Sequence, residues 1–368
     1  MKISVERNAF SEAVMKLQKV VGSKTSMPVL EGILLSAEKG KLTLAAYNLE
    51  MGIKKEMYSD TAEEGDIVIS ARILSEILRR LDGPYVEIES NERLMCKIIS
   101  GSAVFDIMGM AASDFPEMPS VAEGEKIRIS GEVLCDMVRE TIFAVSSIEG
   151  TRPVLTGLDV VIKDGTLQFV GVDGFRLAIR KEKTDIKGNS EFIIAGKAVS
   201  EVVKLITDES EEIEITVGKR LVSFSIEGYT FISRLLEGEY IDFMKIIPKE
   251  FKQETVVNRD DFVKTVERVS LLINDSFTTP VRCFFEEGGV NLTCATAMGR
   301  AKERFELNLT GPEFEIGLNS RYLLEALKAC NPGNVRIKFS GANTGVLLTP
   351  EDENCEDYLY LIMPMRLK

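Results

Sequence analysis

The chain of 368 residues contains no histidine and no tryptophan. Without histidine, the sequence excludes a Ser-His-Asp or Cys-His catalytic arrangement and a zinc site with imidazole ligands. Its six cysteines are at least eleven positions apart and form no CxxC, which argues against a metal or redox motif. The phosphate-binding GxxxxGK[ST] loop and the GxGxxG, GxSxG and HExxH motifs are also missing. We therefore expect no catalytic residue, no metal and no cofactor.

Long apolar runs are missing as well. No stretch approaches the roughly 18 residues of a membrane span, and the first ten residues, with Glu6 and Arg7, lack the apolar region of a signal peptide. We expect a cytoplasmic protein with no membrane partner. Apolar residues make up 45% and charged residues 28%, as in ordinary globular proteins. The net charge of −13 excludes indiscriminate binding to nucleic acid, so contact with DNA requires locally concentrated positive charge.

The sequence contains internal repeats. Three segments combine apolar residues at helical spacing with a basic, acidic, basic stripe at i, i+4 and i+7. The stripes are Arg72, Glu76 and Arg79; Lys197, Glu201 and Lys204; and Arg321, Glu325 and Lys328. Extended stretches followed by amphipathic helices begin at residues 2, 126 and 254, and alternating strands recur at 42–47, 167–172 and 290–295. One period of about 124 residues relates all three sets.

The repeats predict three copies of one domain, at residues 1–120, 126–248 and 252–368. Proline, glutamate and glycine between them mark the boundaries. With two amphipathic helices per copy, which must cover one face of antiparallel sheets, the fold class is α+β. The predicted helical windows are 7–24, 71–81, 131–145, 196–206, 259–270 and 319–330.

The charge of these windows is higher than that of the rest of the chain. Together they carry +5, although window 131–145 alone carries −2. A stripe on one helix is readily explained as a solvated face with ion pairs worth a few tenths of a kcal/mol each, whereas three such stripes favour a repeated surface. The acidic stretches 208–215 and 351–357 lack the ligand order of a calcium loop, and we interpret them as solvated loops.

The number of helices limits what such a surface can enclose. If the domains join head to tail with their helices inward, six helices of about 10 Å diameter leave a hole of about 9 Å. Twelve helices leave about 28 Å by the same estimate. A B-form duplex is about 20 Å wide. Two chains can therefore enclose DNA, whereas one chain cannot.

Several short segments resemble a known family. They are the opening MKxxVER, MPVL at 27–30, SDFP at 113–116, VDGFRLA at 172–178 and YLIMPMRL at 360–367. Through all three repeats the chain resembles the bacterial DNA polymerase III beta subunits, the sliding clamps. The resemblance implies three DNA-clamp domains per chain and a dimeric six-domain ring that encircles duplex DNA and tethers the replicative polymerase, without catalysis. The implied partners are a second copy, duplex DNA of any sequence, the polymerase catalytic subunit, the clamp loader and other proteins with a clamp-binding motif.

The resemblance also implies site residues. A peptide-binding pocket between the second and third domains matches Leu155, Val172, Gly174, Phe175, Arg176, Leu177, Ile241, Lys245, Ile246, Asn319, Tyr322, Met363, Pro364, Met365 and Arg366. Phe175 and Ile241 depart from the histidine and proline frequent in the family, so we expect a different peptide preference. The DNA-binding residues would be Lys24, Arg72, Arg152, Lys197 and Lys204. The dimer interface would place Phe105 and Ile107 of one chain against Leu271 and Leu272 of the other.

Two other interpretations stay open at this point. A scaffold protein built from repeats, which never encircles DNA, would show the same periodicity. An enzyme that uses its carboxylates with a metal is a weaker alternative, because the motifs are missing. Without the resemblance, the dimer-interface residues could equally belong to the core of a domain. The same holds for the two pocket methionines, Met363 and Met365.

Overall fold

The computed structural model describes residues 1–22, 25–148, 150–186, 188–274, 276 and 278–367. Within them, one α-helix begins in each predicted window. The helices are α1 (Arg7–Gln18), α2 (Ala71–Leu78), α3 (Gly131–Arg139), α4 (Gly196–Val203), α5 (Arg259–Ser270) and α6 (Ser320–Ala329). Windows 7–24 and 131–145 were too long, because the α-helices end at Gln18 and Arg139. None of the described helices is long and apolar enough to span a bilayer.

Each predicted repeat also contains eight or nine described strands. The first repeat contains β1 (Lys2–Glu6), β2 (Gly32–Glu38), β3 (Lys41–Tyr47), β4 (Met51–Tyr58), β5 (Asp60–Glu63), β6 (Gly65–Ser70), β7 (Tyr85–Ser90), β8 (Met95–Ser100) and β9 (Ala103–Met108). The second contains β10 (Glu125–Ser130), β11 (Gly157–Lys163), β12 (Thr166–Val172), β13 (Arg176–Lys183), β14 (Ser190–Ala195), β15 (Glu212–Val217), β16 (Leu221–Ile226) and β17 (Tyr229–Arg234). The third contains β18 (Gln253–Asn258), β19 (Val281–Glu286), β20 (Gly289–Thr296), β21 (Gly299–Glu306), β22 (Leu309–Thr310), β23 (Phe314–Leu318), β24 (Asn334–Phe339), β25 (Val346–Pro350) and β26 (Tyr358–Ile362).

Strand β15 corrects one prediction, since half of the acidic stretch 208–215 is not a loop. From residue 212, glutamate alternates with isoleucine, and Ile213 and Ile215 are buried. The carboxylate of Glu214 lies 2.9 Å from Lys126 Nζ and 3.1 Å from Arg128 Nη2, on the neighbouring strand β10. The charges therefore belong to the exposed face of a strand.

By packing, the chain divides into two compact units. The first comprises Met1–Glu132 and Lys197–Leu235, and the second Val133–Gly196 with the chain from Leu236 onward. The first contains the sheets β5-β1-β7-β8-β9 and β10-β15-β16-β17-β4-β3-β2-β6. The second contains β14-β11-β12-β13-β26-β25-β24-β18-β22 and β21-β20-β19-β23. The division into three domains stays a prediction from the repeats.

Each larger sheet combines strands of two predicted repeats. In the first unit, β17 pairs antiparallel with β4, and Tyr229 is opposite Lys55. In the second unit, β26 pairs antiparallel with β13, and Tyr358 is opposite Arg180. Backbone hydrogen bonds therefore run continuously from one predicted repeat into the next within each unit.

The helices bury their apolar faces, as their spacing predicts. On α5, Phe262, Val266 and Val269 are at most 2% exposed and belong to the core of the second unit. Leu323 and Leu327 of α6 belong to the same core. Burying one such side chain fully contributes roughly 1.5–3 kcal/mol, so this packing, rather than helix propensity, holds the helices in place.

Candidate functional site

A tight turn between β12 and β13 shapes the centre of the predicted pocket. Asp173 Oδ1 accepts hydrogen bonds from the backbone N–H groups of Phe175 (2.9 Å) and Arg176 (3.0 Å). Gly174 has a φ of +91°, a backbone conformation that a residue with a Cβ rarely adopts. This turn leaves the Phe175 ring 51% exposed while Arg176 next to it is buried.

The buried guanidinium of Arg176 connects the turn to helix α6. Its Nε donates to Asp173 Oδ2 at 2.9 Å, and its Nη1 donates to Glu325. The guanidinium carbon also lies 4.2 Å from the ring centroid of Tyr322. Two carboxylates and an aromatic face thus compensate the cost of burying this charge. Glu325, predicted on a solvated stripe, also pairs with Arg321 at 3.0 Å and so has a second, structural role.

Asn319 lies at the start of α6 and is only 3% exposed. Its side-chain oxygen accepts from the N–H groups of Arg321 (3.0 Å) and Tyr322 (3.2 Å) and caps the helix. Of the polar groups of this side chain, the oxygen is thus used by the helix cap, and the predicted contact with a peptide would involve its NH2 group. The capped helix holds Tyr322 in place, and the ring centroid of Tyr322 is 6.4 Å from that of Phe175.

An apolar cluster forms the floor of the predicted pocket. Leu155, Val172 and Leu177 are buried in it, and the half-buried Ile241 packs against it. The segment that carries Ile241 is attached through Tyr240, whose hydroxyl lies 3.4 Å and 3.2 Å from the carbonyl oxygens of Gly157 and Val170. Because Leu177 follows Arg176 on β13, one strand contributes to both the apolar floor and the polar cluster.

The C-terminal residues lie beside the turn. The N–H of Met363 donates to the carbonyl of Phe175 at 2.8 Å, and that of Met365 donates to Gly317 at 2.8 Å. Met363 is 39% exposed and Ile246 is 45% exposed, so apolar surface faces solvent here. Lys245 is exposed and pairs with Asp242 at 2.8 Å.

A cavity of about 590 Å³ also lies at this end of the chain. It is lined by Glu315, Ala342, Asn343, Pro364, Met365, Arg366 and Leu367. Three of these residues were predicted as pocket residues, and Leu367 directly follows them, whereas Glu315, Ala342 and Asn343 are distant in sequence and were not predicted. These last three have no sequence signal in common. They lie on β23 and on the connection between β24 and β25, and no sequence motif marks them as neighbours of the C-terminus.

The predicted DNA-binding residues that the structure describes are all exposed. Arg72 lies 3.6 Å from Glu76, and Lys204 lies 2.7 Å from Glu201, so the acidic residue of each stripe partly neutralises a basic one. Lys197 begins the exposed face of α4, and Arg152 precedes a short 3-10 helix. Lys24 lies outside the described residues.

The predicted dimer-interface residues lie on or next to two sheet edges. Phe105 and Ile107 are half-buried on β9, and within the described residues no strand pairs with the outer edge of β9 or of β21. Leu271 follows α5 and is 78% exposed. Leu272 packs partly on the core of the second unit, and its Cδ1 is 3.7 Å from where a Cβ would be on Gly299 of β21.

Comparison with known proteins gives one consistent result. Family profiles of the DNA polymerase III beta subunit match the chain with the N-terminal domain at residues 1–119, the central domain at 128–242 and the C-terminal domain at 244–366. The beta sliding clamp of Staphylococcus epidermidis is 31% identical over 377 residues, covering 100% of this chain and 99% of the relative. That of Bacillus subtilis is 30% identical over 380 residues and covers 100% of both chains.

Solved structures agree with the sequence relatives. The crystal structure of the DNA polymerase sliding clamp from Bacillus subtilis superimposes with a TM-score of 0.94 at 30% identity, covering 100% of both chains. A sliding clamp from Pseudomonas aeruginosa, solved bound to griselimycin, gives a TM-score of 0.91 at 26% identity, also over 100% of both chains.

Proposed function

Because the chain belongs to the bacterial DNA polymerase III beta subunits, the beta sliding clamps, and so acts as a non-catalytic clamp of DNA replication, we propose that two copies close head to tail around duplex DNA. The six-domain ring would tether the catalytic subunit of the replicative polymerase for processive synthesis. A clamp loader would place it on DNA in the cytoplasm, where the bacterial chromosome lies. Such a ring makes no sequence-specific contact, since sliding requires that all positions on DNA have similar energy.

The observation that carries this proposal is the arrangement of sheet edges. The last strands of the second and third repeats, β17 and β26, pair with β4 and β13 of the preceding repeat. The last strand of the first repeat, β9, is an edge, and so is β21, the counterpart of β4 and β13 in the third repeat. A second copy would complete both edges. A single chain closed on itself would leave a hole of about 9 Å, too narrow for a duplex about 20 Å wide.

Retention on circular DNA tests the proposal. Clamps placed on a nicked circle by a clamp loader should stay bound during gel filtration at high salt, because a closed ring can leave only at a DNA end. Cutting the circle with a restriction enzyme should release them. A scaffold protein would behave identically on circular and linear DNA, and that result would contradict the proposal. A DNA circle never exposed to the loader is the control.

We also propose that the pocket predicted around Phe175, Leu177 and Met363 binds a short peptide of the polymerase, the clamp loader and other proteins with a clamp-binding motif. The chemistry supports this, since an apolar floor is combined with Phe175, exposed on the turn, and with Met363, exposed beside it. Met363→Ser should weaken the binding of a polymerase-derived peptide at least tenfold, as measured by calorimetry. Met95→Ser, which changes an equally exposed methionine on β8 of the first unit, is the matched control and should leave peptide binding unchanged.

For DNA, we propose that Lys24, Arg72, Arg152, Lys197 and Lys204 contact phosphates inside the ring. The exposure of the four described residues and the helical positions of Arg72 and Lys197 support this role. Removing one phosphate-binding side chain should lower the slope of log affinity against log salt by about 0.9. The combined replacement of Arg72 and Lys197 by alanine should therefore flatten the salt dependence, whereas a change of Lys245 to alanine should not.

A further inference from the structure

The internal repeats predict the register in which two copies of the chain would pair their free edge strands. This inference rests on the proposed ring and concerns the contact of β9 in one copy with β21 in the other, which we call the seam. Strands β4, β13 and β21 are each eight residues long and occupy equivalent positions. Their hairpins share one register, because Lys41 is opposite Tyr58, Thr166 is opposite Lys183 and Gly289 is opposite Glu306.

The last strands of the repeats can be aligned in the same way. Backbone hydrogen bonds join Met110 to Val68, Leu236 to Ile193 and Met365 to Gly317 at equivalent positions. The last strand of each repeat begins seven positions before Met110, Leu236 or Met365. Ala103, Tyr229 and Tyr358 are therefore equivalent.

Within the chain, two strand pairs connect consecutive repeats, β17 with β4 and β26 with β13, and we call each of them a joint. Both joints have the same register. Tyr229 and Tyr358 are each opposite the fifth residue of the strand that they join, Lys55 or Arg180. Just beyond the paired stretch, Arg234 N–H donates to the carbonyl of Glu50 at 2.8 Å. Met363 N–H donates to the carbonyl of Phe175 at the same distance. Two joints with the same geometry provide a template for the third.

From this template we infer that Ala103 of one copy is opposite Glu303 of the other, with Met108 N–H donating to the carbonyl of Met298. Phe105 then lies opposite Ala301, and Ile107 opposite Gly299. These pairs are sterically complementary, because a large side chain meets a small one on the half-buried face. Ile107 also reaches Leu272, which already lies over Gly299.

The exposed face is complementary in charge and in polarity. Asp106 is opposite Arg300, so the seam gains an ion pair between the two copies. Met108 is opposite Met298, and these methionines are 65% and 67% exposed in the single chain. A slip by one residue would turn every side chain to the other face. A slip by two residues in one direction would set Phe105 against the carboxylate of Glu303.

Charge reversal tests the inferred ion pair between Asp106 of one copy and Arg300 of the other. In a dimer of Asp106→Arg chains, both seams bring two arginines together, and in a dimer of Arg300→Asp chains both bring two aspartates together. Each variant should dimerise about tenfold more weakly, or about 1.4 kcal/mol, because two cross-strand attractions become repulsions. An equimolar mixture of the two variants should regain wild-type dimer affinity, since both seams of the mixed dimer are complementary. Subunit exchange between labelled chains at nanomolar concentration measures this, and Asp60→Arg at the opposite edge of the same sheet is the control.

Cross-linking tests the register independently of the ion pair. Val104 and Lys302 are both exposed and are opposite each other in the inferred register. A chain with Val104→Cys and Lys302→Cys should form disulfide-linked dimers on oxidation, because directly opposite Cα atoms lie within disulfide range. The shifted pair Val104→Cys and Arg304→Cys should not, and the single variants control for the native cysteines.

The outcomes separate this inference from the proposed function. A wild-type chain that is monomeric at micromolar concentration would overturn the proposed ring itself. A dimeric wild type whose reversed variants neither weaken nor complement each other would overturn the Asp106–Arg300 pair. Faster cross-linking of the shifted cysteine pair would overturn the register, while the ring would stand.

Discussion

Replacing Asp159 by asparagine should stabilise the protein, and more so at high pH. Asp159 lies on β11 between Val170 and Ile193 and is 2% exposed. Its Oδ1 is buried and accepts no hydrogen bond from the described residues. Burial, and to a smaller extent the charge of Glu191, raises the pKa of Asp159 from 3.8 to about 7. Asparagine has nearly the same shape and never ionises.

The size of the effect follows from the pKa shift. Because the folded-state pKa is the higher one, folding favours the protonated form, and stability falls as pH rises from about 4 to about 7. Above pH 7 the loss is constant at about 4 kcal/mol, since one pKa unit corresponds to about 1.4 kcal/mol. At pH 5 less than half of this loss is present. The advantage of Asp159→Asn should therefore grow by roughly 2–3 kcal/mol between pH 5 and pH 8.

Urea denaturation at the two pH values measures this growth. Because the chain has no tryptophan, circular dichroism is the suitable signal. Asp164→Asn, at the exposed turn of the same hairpin, is the matched control and should change stability equally at both pH values. If the difference between wild type and Asp159→Asn is the same at pH 5 and pH 8, the reasoning from burial is refuted.

Three further outcomes are expected. Leu271→Asp should give folded monomers in light scattering, because Leu271 is exposed in the single chain, while an unpaired carboxylate buried at the predicted dimer interface costs several kcal/mol. Leu272→Asp should in addition lower the stability of the chain, since Leu272 packs on the core. Deleting residues 365–368 should weaken peptide binding at least tenfold in calorimetry but leave the dimer intact, and unchanged binding would contradict the pocket. Without a loader, DNA affinity should be weak and should fall steeply with salt in fluorescence anisotropy, because the net charge is −13.

The sequence determined the local structure because periodicity specifies which face of an element is buried. The spacing of Phe262, Val266 and Val269 predicted a helix with one apolar face, and all three are buried. Repetition of such patterns predicted the second and third repeats from the first. The same logic failed at residues 212–215, where attention to the carboxylates hid the alternation of a strand.

The pocket was predicted only through the family resemblance, because its parts are distant in sequence. Arg176 and Glu325 are 149 positions apart, and Glu325 fits a solvated helix face equally well. Asn319 was predicted to contact a peptide, and only the structure shows that its side-chain oxygen caps α6. Which polar group a buried side chain meets depends on how distant elements pack, and a helical pattern contains no such information.

Which strands join across the repeats was decided only by the tertiary structure. Nothing in the side chains of β4 and β17, or of β13 and β26, marks them as partners, because strands are joined by backbone groups that every residue has. Phe105 and Ile107 of β9 were assigned to the dimer interface only through the family resemblance. That the outer edge of β9 has no partner strand among the described residues follows only from the completed sheets.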